Sequence, residues 1–145
     1  MIPVPQFCNG ENLTLYRFFG IGKLPRDLLD DFRREGVLFS DEGIRATVTL
    51  KNFRGGGRIS NWKRQWFGAA LVLTQKRLVA YRLRSRVIDV PLDDPRLNEM
   101  EYSFEPPETL TVCFDAGLFQ PDWKGRIEYR FRSPISKAIF EHLSQ

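Results

Sequence analysis

Residues 44–51 read Ile-Arg-Ala-Thr-Val-Thr-Leu-Lys, so apolar and polar side chains alternate at every position. Successive side chains of a β-strand point to opposite faces of its sheet, and this period of two therefore predicts a half-buried strand. The same period recurs through most of the chain that follows, whereas a helical period of 3.6 is confined to two short segments. The pattern predicts a mainly β protein with some helix.

Seven segments with strand character are separated by turn-forming residues, mainly Gly, Pro and Asp. The predicted strands are Ile44–Lys51, Gln65–Thr74, Leu78–Arg84, Val87–Leu92, Asn98–Phe104, Thr109–Asp115 and Arg126–Arg132. Only a polar tetrad from Thr74 to Arg77 joins the second to the third, which predicts a hairpin. Short connections favour antiparallel neighbours, so we expect a seven-stranded antiparallel sheet that wraps into a barrel.

The two helical segments flank the strands. The first runs from Leu24 to Glu35, has Pro25 in its first turn and is ended by Gly36. The second begins with Ser133 as the cap and Pro134 as the first helical residue. Its apolar stripe predicts that it covers one open end of the barrel.

At 145 residues the chain fits a single structural domain whose core needs no metal or disulfide. We expect residues 1–36 to form an N-terminal arm and helix that pack on a barrel of residues 37–145. Cys8 and Cys113 are far apart and form no Cys-x-x-Cys pair, which indicates free thiols and a reducing compartment. The chain has no signal-like leader and no run of 18 apolar residues, so we expect a soluble, cytoplasmic protein, with peripheral membrane attachment as an option.

The charge distribution is strongly asymmetric. Ten Lys and Arg residues and no Asp or Glu lie between Lys51 and Arg86, while the remainder holds 22 − 10 = 12 basic residues against 18 acidic ones. The net charge of +4 is thus the sum of a block at +10 and a remainder at 12 − 18 = −6. Such asymmetry predicts either an anionic partner or a surface that pairs with itself.

The first group of candidate binding residues surrounds a predicted glycine-rich loop, Gly55 to Gly57. It combines cations with an aromatic residue, a composition that suits a membrane interface or stacking on bases. Its members are Lys51, Arg54, Arg58, Trp62, Lys63 and Arg64. The alternative interpretation is that the aromatic residues here belong to strand two, with at least one of Trp66 and Phe67 pointing to the core and Trp62 the better candidate for exposure.

The second group of candidates is Arg82, Arg84 and Arg86. If one strand runs through all three, their guanidinium groups leave the same face and form a linear cationic row. The alternative is that these basic residues lie at outward positions of the sheet, where they discourage pairing of its edges with other chains. They would then form ion pairs with Glu99, Glu101 or Glu128 on other strands.

The order of the elements resembles the pleckstrin-homology-like superfamily. Residues 71–81, Leu-Val-Leu-Thr-Gln-Lys-Arg-Leu-Val-Ala-Tyr, are similar to the strand-turn-strand signature of its GRAM and bacterial PH-like members. The resemblance extends from about Val37 to the C-terminus. It implies a seven-stranded barrel capped by a C-terminal helix, which in most members is not catalytic and binds phosphoinositide headgroups, peptides or partner domains. In that family a lysine lies on strand one, a position that Lys51 matches.

The sequence contains few features that are typical of a catalytic site. The one histidine, His142, lies close to the C-terminus on the predicted helix, which argues against a histidine-dependent triad. The sequence Gly55-Gly56-Gly57-Arg58 lacks the Lys and Ser/Thr of a phosphate-binding loop, and no metal-ligand spacing appears. We therefore expect no catalytic residue, no metal and no cofactor.

These observations predict a non-enzymatic binding or recruitment module that contacts an acidic partner through the basic loop. The partner is either an anionic membrane surface or an acidic protein segment. One alternative is binding of single-stranded nucleic acid by Trp62 and the arginine row. The other is a structural subunit that forms homo-oligomers and takes no small ligand.

Overall fold

The computed structural model describes Leu24, residues 26–82 and residues 85–144, and the predicted N-terminal arm lies almost entirely outside these residues. The described part is mainly β, as predicted. Helix α1 (Arg26–Glu35) precedes seven strands and helix α2 (Ser136–Leu143) follows them. The strands are β1 (Val37–Gly55), β2 (Arg58–Thr74), β3 (Arg77–Arg82), β4 (Ser85–Pro91), β5 (Glu101–Glu105), β6 (Thr109–Asp115) and β7 (Lys124–Arg132).

All seven strands form one antiparallel sheet in the order β4-β3-β2-β1-β7-β6-β5. The long strand β1 lies at the centre because it pairs with β2 along one edge and with β7 along the other. A bulge between Glu42 and Ile44, where Gly43 has φ +66°, shifts the register of β1 against β2. Within the described residues β4 and β5 do not pair, so the predicted closure of the sheet into a complete barrel is not found.

The main core lies on the inner face of this sheet and is closed at one end by α2. Alternate residues such as Val48 of β1, Val112 of β6 and Phe131 of β7 fill it. Helix α2 contributes the fully buried Ile139, a side chain whose removal from water stabilises the fold by about 1.5–3 kcal/mol. Phe140 stacks near Phe104 of β5 with 6.4 Å between ring centroids. The predicted C-terminal cap is therefore confirmed.

Helix α2 begins later than predicted, at Ser136 instead of Pro134. Ser133 still organises the start of this segment: its Oγ accepts a hydrogen bond from the Ile135 backbone N–H at 3.2 Å and donates one to Asp41 Oδ2 at 2.7 Å. Pro134 and Ile135 form a turn before the first helical residue. The hydrogen bond to Asp41 of β1 thus fixes the start of the helix on the sheet.

Helix α1 packs on the outer face of the sheet, over β2 and β3. Phe32 is buried there in a second apolar cluster that contains Ala70 and Val72 of β2 and Val79 of β3. Gly36, with φ +85°, ends the helix as predicted. Among the described residues no helix has the length and apolar character needed to cross a bilayer.

Most strand boundaries differ from the sequence prediction, and β1 already begins at Val37 instead of Ile44. Residues 52–64, which lie between the first two predicted strands, are not a loop, because β1 and β2 continue to a two-residue turn at Gly56 and Gly57, whose φ values are +58° and +78°. Strand β3 ends at Arg82 and β4 begins at Ser85, while residues 95–99 form a 3-10 helix before β5. The predicted strand from Asn98 therefore begins only at Glu101.

Candidate binding surfaces

The tip of the first hairpin carries positive charge that few carboxylates offset. Lys51 forms an ion pair with Glu128 at 3.6 Å, with its side chain 43% exposed. Arg54, Arg58 and Lys63 are exposed and form no ion pair within the described residues. Since residues 51–66 include no Asp or Glu, the uncompensated charge predicted for a loop lies on the two strands of a hairpin.

Large apolar side chains are exposed on the same hairpin. Ile59 is 72% exposed and Trp62 is 60% exposed. Phe67 is buried and Trp62 is exposed, as predicted, but Trp66 is as exposed as Trp62, at 62%, so Trp62 is not the better exposed of the two tryptophans. Arg64 lies over Trp62 with its Cζ 5.2 Å from the ring centroid, and its Nε donates a hydrogen bond to Thr49 Oγ1 at 2.8 Å. The tip of the hairpin therefore combines cations with solvent-exposed apolar side chains.

Beside this hairpin, the mouth of the barrel-like sheet contains a cavity of about 770 Å³. Its wall is largely apolar and includes Phe53, Trp123 and Tyr129, while Arg58 and Arg82 supply cations to its lining. A second cavity of about 350 Å³ shares Trp123 and Tyr129 and is lined by Arg86. Burial raises the pKa of Tyr129 to about 12, against a smaller opposite effect of Arg82, so this phenol is neutral at physiological pH.

The predicted arginine row is wrong. Arg82 lies opposite Ser85 across the β3–β4 pair and Arg86 lies opposite Tyr81, so the two arginines belong to different strands. Arg84 lies outside the described residues. The prediction failed because residues 83–84, between β3 and β4, include no glycine or proline that would indicate the end of a strand.

The two remaining arginines of the row differ in their partners. Arg82 lies over Phe67, with Cζ 5.2 Å from the ring centroid, and donates a long hydrogen bond of 3.4 Å to Gln65. Arg86 pairs with Asp89 at 2.6 Å. The expected glutamate partners are used elsewhere, because Glu101 pairs with Arg126 and Glu128 with Lys51. A carboxylate of the protein thus offsets the charge of Arg86, whereas Arg82 forms no ion pair within the described residues.

A further cluster of arginines on the outer face of the sheet was missed by the sequence prediction. Thr47 of β1 lies opposite Trp66 of β2 on one side and Arg130 of β7 on the other. This arrangement surrounds a cavity of about 210 Å³, which we call the outer-face cavity. Its charged and aromatic lining consists of Arg45, Arg64, Trp66, Glu105, Arg130 and Arg132.

The described residues contain no group of three or more His, Cys, Asp or Glu side chains that could hold a metal ion. Comparison with protein-family models finds no match, and no curated protein matches the sequence. The hairpin and the mouth therefore carry the functional interpretation by their geometry alone.

Proposed function

We propose that this protein is a non-enzymatic binding module of PH-like architecture that attaches to anionic membrane surfaces through the tip of its first hairpin. The observation that carries the proposal is the joint exposure of Ile59 and Trp62 beside Arg54, Arg58 and Lys63. None of these three cations has an ion-pair partner among the described residues.

This composition fits the chemistry of the membrane interface. Tryptophan is favoured at the boundary between headgroups and acyl chains, where its ring is apolar and its N–H remains wet. Lys and Arg place their apolar stems along the same boundary and their charges among the headgroups. Ile59 and Trp62 would insert shallowly, with Arg54, Arg58 and Lys63 around them.

The expected attachment is weak and reversible. Each Lys or Arg near an anionic leaflet contributes about 1 kcal/mol, so the three unpaired hairpin cations give roughly 3 kcal/mol, an affinity of about 5–10 mM. Partial burial of Ile59 and Trp62 adds to this. The neighbouring mouth, with Arg58 and Arg82 in its lining, supplies a place where the phosphate of one headgroup would bind in addition.

The alternatives are less well supported by the same contacts. A nucleic-acid base would stack on Trp62 or Trp66, but a guanidinium already covers one face of each ring, Arg64 at 5.2 Å and Arg45 at 4.8 Å from the centroids. An acidic protein segment would use the cations but would leave Ile59 and Trp62 without a role. Membrane attachment accounts for both kinds of residue.

Sedimentation with vesicles tests the proposal. We expect the full chain to sediment with vesicles that contain phosphatidylserine and to remain in solution with neutral phosphatidylcholine, and we expect moderate salt to release it. The Arg54→Glu variant removes one attraction and adds one repulsion, a change of about 2 kcal/mol that lowers partitioning roughly thirtyfold.

The matched control is Arg33→Glu, which makes the same charge change on α1, where the Arg33 side chain is 75% exposed. The control should retain nearly all vesicle binding. Sedimentation that ignores lipid charge at low salt would eliminate the proposal, and so would equal losses in the two variants.

A further inference from the structure

The mouth of the sheet holds an arginine whose charge no carboxylate of the described residues offsets. Arg82 is half-buried, and its guanidinium lies over the ring of Phe67, a residue of the main core. Its hydrogen bond to the neutral side chain of Gln65 is long, at 3.4 Å. The described residues that line the 770 Å³ cavity beside Arg82 include no Asp or Glu. A cation partly removed from water without a counter-charge is unfavourable, and a bound anion would compensate it.

The rest of the wall of this cavity is mainly apolar and aromatic. It adjoins the second cavity of about 350 Å³, because four residues line both of them. Further from Arg82, the second cavity is lined by Phe114 and Phe119. Cavities of about 300–1,000 Å³ with an apolar wall and a few polar groups, including those in the mouths of β-barrels, are typical sites for small ligands. The four shared residues are Val87, Trp123, Ile127 and Tyr129.

Trp123 forms the wall between the first hairpin and the two cavities. Its ring packs edge-on against Phe53, with 5.4 Å between the ring centroids. It also lies so close to the backbone of Gly55 that a Cβ at this position would clash with the indole. The side chain is thus held from two sides while it lines both cavities. Its fluorescence should therefore respond to any molecule bound there.

The combination of one interior cation with an apolar wall selects the chemistry of the ligand. A small hydrophilic anion would neutralise Arg82 but leave the apolar wall in contact with water. An uncharged hydrocarbon would cover the wall but leave the cation without a partner. Arg58 lines the same cavity from the exposed hairpin turn, where water and salt screen its charge, so one negative charge is sufficient. A carboxylate matches the paired N–H groups of a guanidinium.

We infer that the mouth binds a long-chain fatty acid. Its carboxylate pairs with Arg82, and its hydrocarbon chain lies along Trp123 and Tyr129 toward Phe114. The inference goes beyond membrane attachment and does not rest on it, because the ligand is a dissolved monomer. Arg54, Ile59 and Trp62, on which the membrane proposal depends, do not line the cavity.

Quenching of Trp123 by a brominated fatty acid tests the inference. A Trp62→Phe, Trp66→Phe variant of the full chain leaves Trp123 as the single tryptophan. In the absence of vesicles, dodecanoic acid brominated at its terminal carbon should quench this fluorescence saturably, with a dissociation constant of about 10 µM. No saturable quenching at about 100 µM acid would overturn the inference.

Two compounds that each carry half of the ligand separate its two contacts. Dodecanol has the chain without the charge, and it should compete with the brominated acid at least tenfold more weakly than dodecanoic acid does. Glycerol 3-phosphate has the charge without the chain, and about 1 mM should not displace the brominated acid. Equal competition by dodecanol would show that Arg82 has no part in binding. Displacement by glycerol 3-phosphate would show a site for headgroups alone, and either result would overturn the inference.

Two variants of the reporter protein locate the site. Arg82→Gln should weaken binding of the brominated acid at least tenfold and leave dodecanol binding unchanged, which also shows that the variant is folded. Val87→Phe enlarges a half-buried side chain that lines both cavities, and it should weaken binding of both compounds. Arg54→Gln, which removes an exposed cation outside the lining, is the matched control and should bind the acid normally. An Arg82→Gln variant with unchanged affinity would contradict the inference.

The outcome is separable from that of the membrane proposal. In the chain that retains all its tryptophans, Val87→Phe should sediment with phosphatidylserine vesicles as the wild type does, because the hairpin tip is unchanged. A failure of fatty-acid binding therefore leaves the vesicle prediction intact, and a failure of vesicle binding leaves the fatty-acid prediction intact.

Discussion

Replacing Glu35 by Gln should destabilise the attachment of α1 to the sheet. The Glu35 carboxylate accepts hydrogen bonds from Arg77 Nε at 3.0 Å and Nη2 at 2.7 Å, and from Thr74 Oγ1 at 3.1 Å. The Glu35 and Arg77 side chains are only 19% and 24% exposed. A charged, two-point contact with this degree of burial contributes about 2–3 kcal/mol. Urea unfolding followed by tryptophan fluorescence should show that loss, which corresponds to roughly 5–10 °C in melting temperature.

The effect of Glu35→Gln should depend on pH in a defined direction. Burial opposes ionisation of Glu35, but the hydrogen bonds from Arg77 and Thr74 more than offset it, and the pKa of Glu35 lies below its ordinary value of 4.5. A carboxyl with a depressed pKa in the folded state stabilises the fold above its unfolded pKa, and this stability is lost as pH falls through the folded pKa. The difference between wild type and variant should therefore be full at neutral pH and disappear in acid.

Asp30→Asn on the same helix is the matched control. Its ion pair with Arg33 is 3.5 Å long and both side chains are mostly exposed, so the change should stay within about 0.5 kcal/mol. Two results would refute the reasoning: a Glu35→Gln variant as stable as the wild type at neutral pH, or a difference that persists undiminished in strong acid.

Three further predictions concern the fold and the hairpin. In Gly125→Ala, where φ is +104° and the new Cβ would lie 2.5 Å from the Asn52 carbonyl oxygen, urea unfolding should show a loss of more than 2 kcal/mol. Gly57→Ala, with φ +78° and open space, should cost only about 1 kcal/mol, and equal losses would contradict the close approach. Ser133→Ala removes the 2.7 Å hydrogen bond to buried Asp41 and should cost about 2 kcal/mol in the same assay. Fluorescence anisotropy with a labelled single strand should show no binding at micromolar protein, whereas a steep salt slope with tryptophan quenching would favour nucleic acid.

The sequence predicts the strand count, the hairpin of β2 and β3 and the C-terminal helix, because each of these buries one face and displays the matching period. The outer part of the first hairpin could not be predicted in the same way. Apart from Phe53, residues 52–64 are exposed or half-buried, so no continuous buried face imposes alternation there. The sequence Gly55-Gly56-Gly57 therefore predicted a loop, although only Gly56 and Gly57 lie in the turn.

The sequence also could not predict which residues face each other across neighbouring strands. Arg45 and Arg132 are paired across β1 and β7, two strands far apart in the chain, and no local pattern encodes their register. The outer-face cavity was therefore missed, although the alternation of Arg45 with Ala46 and of Arg130 with Phe131 placed each arginine on the solvent side. The hairpin cations were recognised because their lack of acidic neighbours is visible in sequence alone.

Quenching of Trp62 fluorescence by brominated lipid tests the membrane proposal most directly. The chain has three tryptophans, and a Trp66→Phe, Trp123→Phe variant leaves Trp62 as the single reporter. With vesicles that contain phosphatidylserine, we predict strong quenching by bromines near the headgroups and none with neutral vesicles. Protein that sediments with the anionic vesicles while Trp62 remains unquenched would contradict insertion of the hairpin tip.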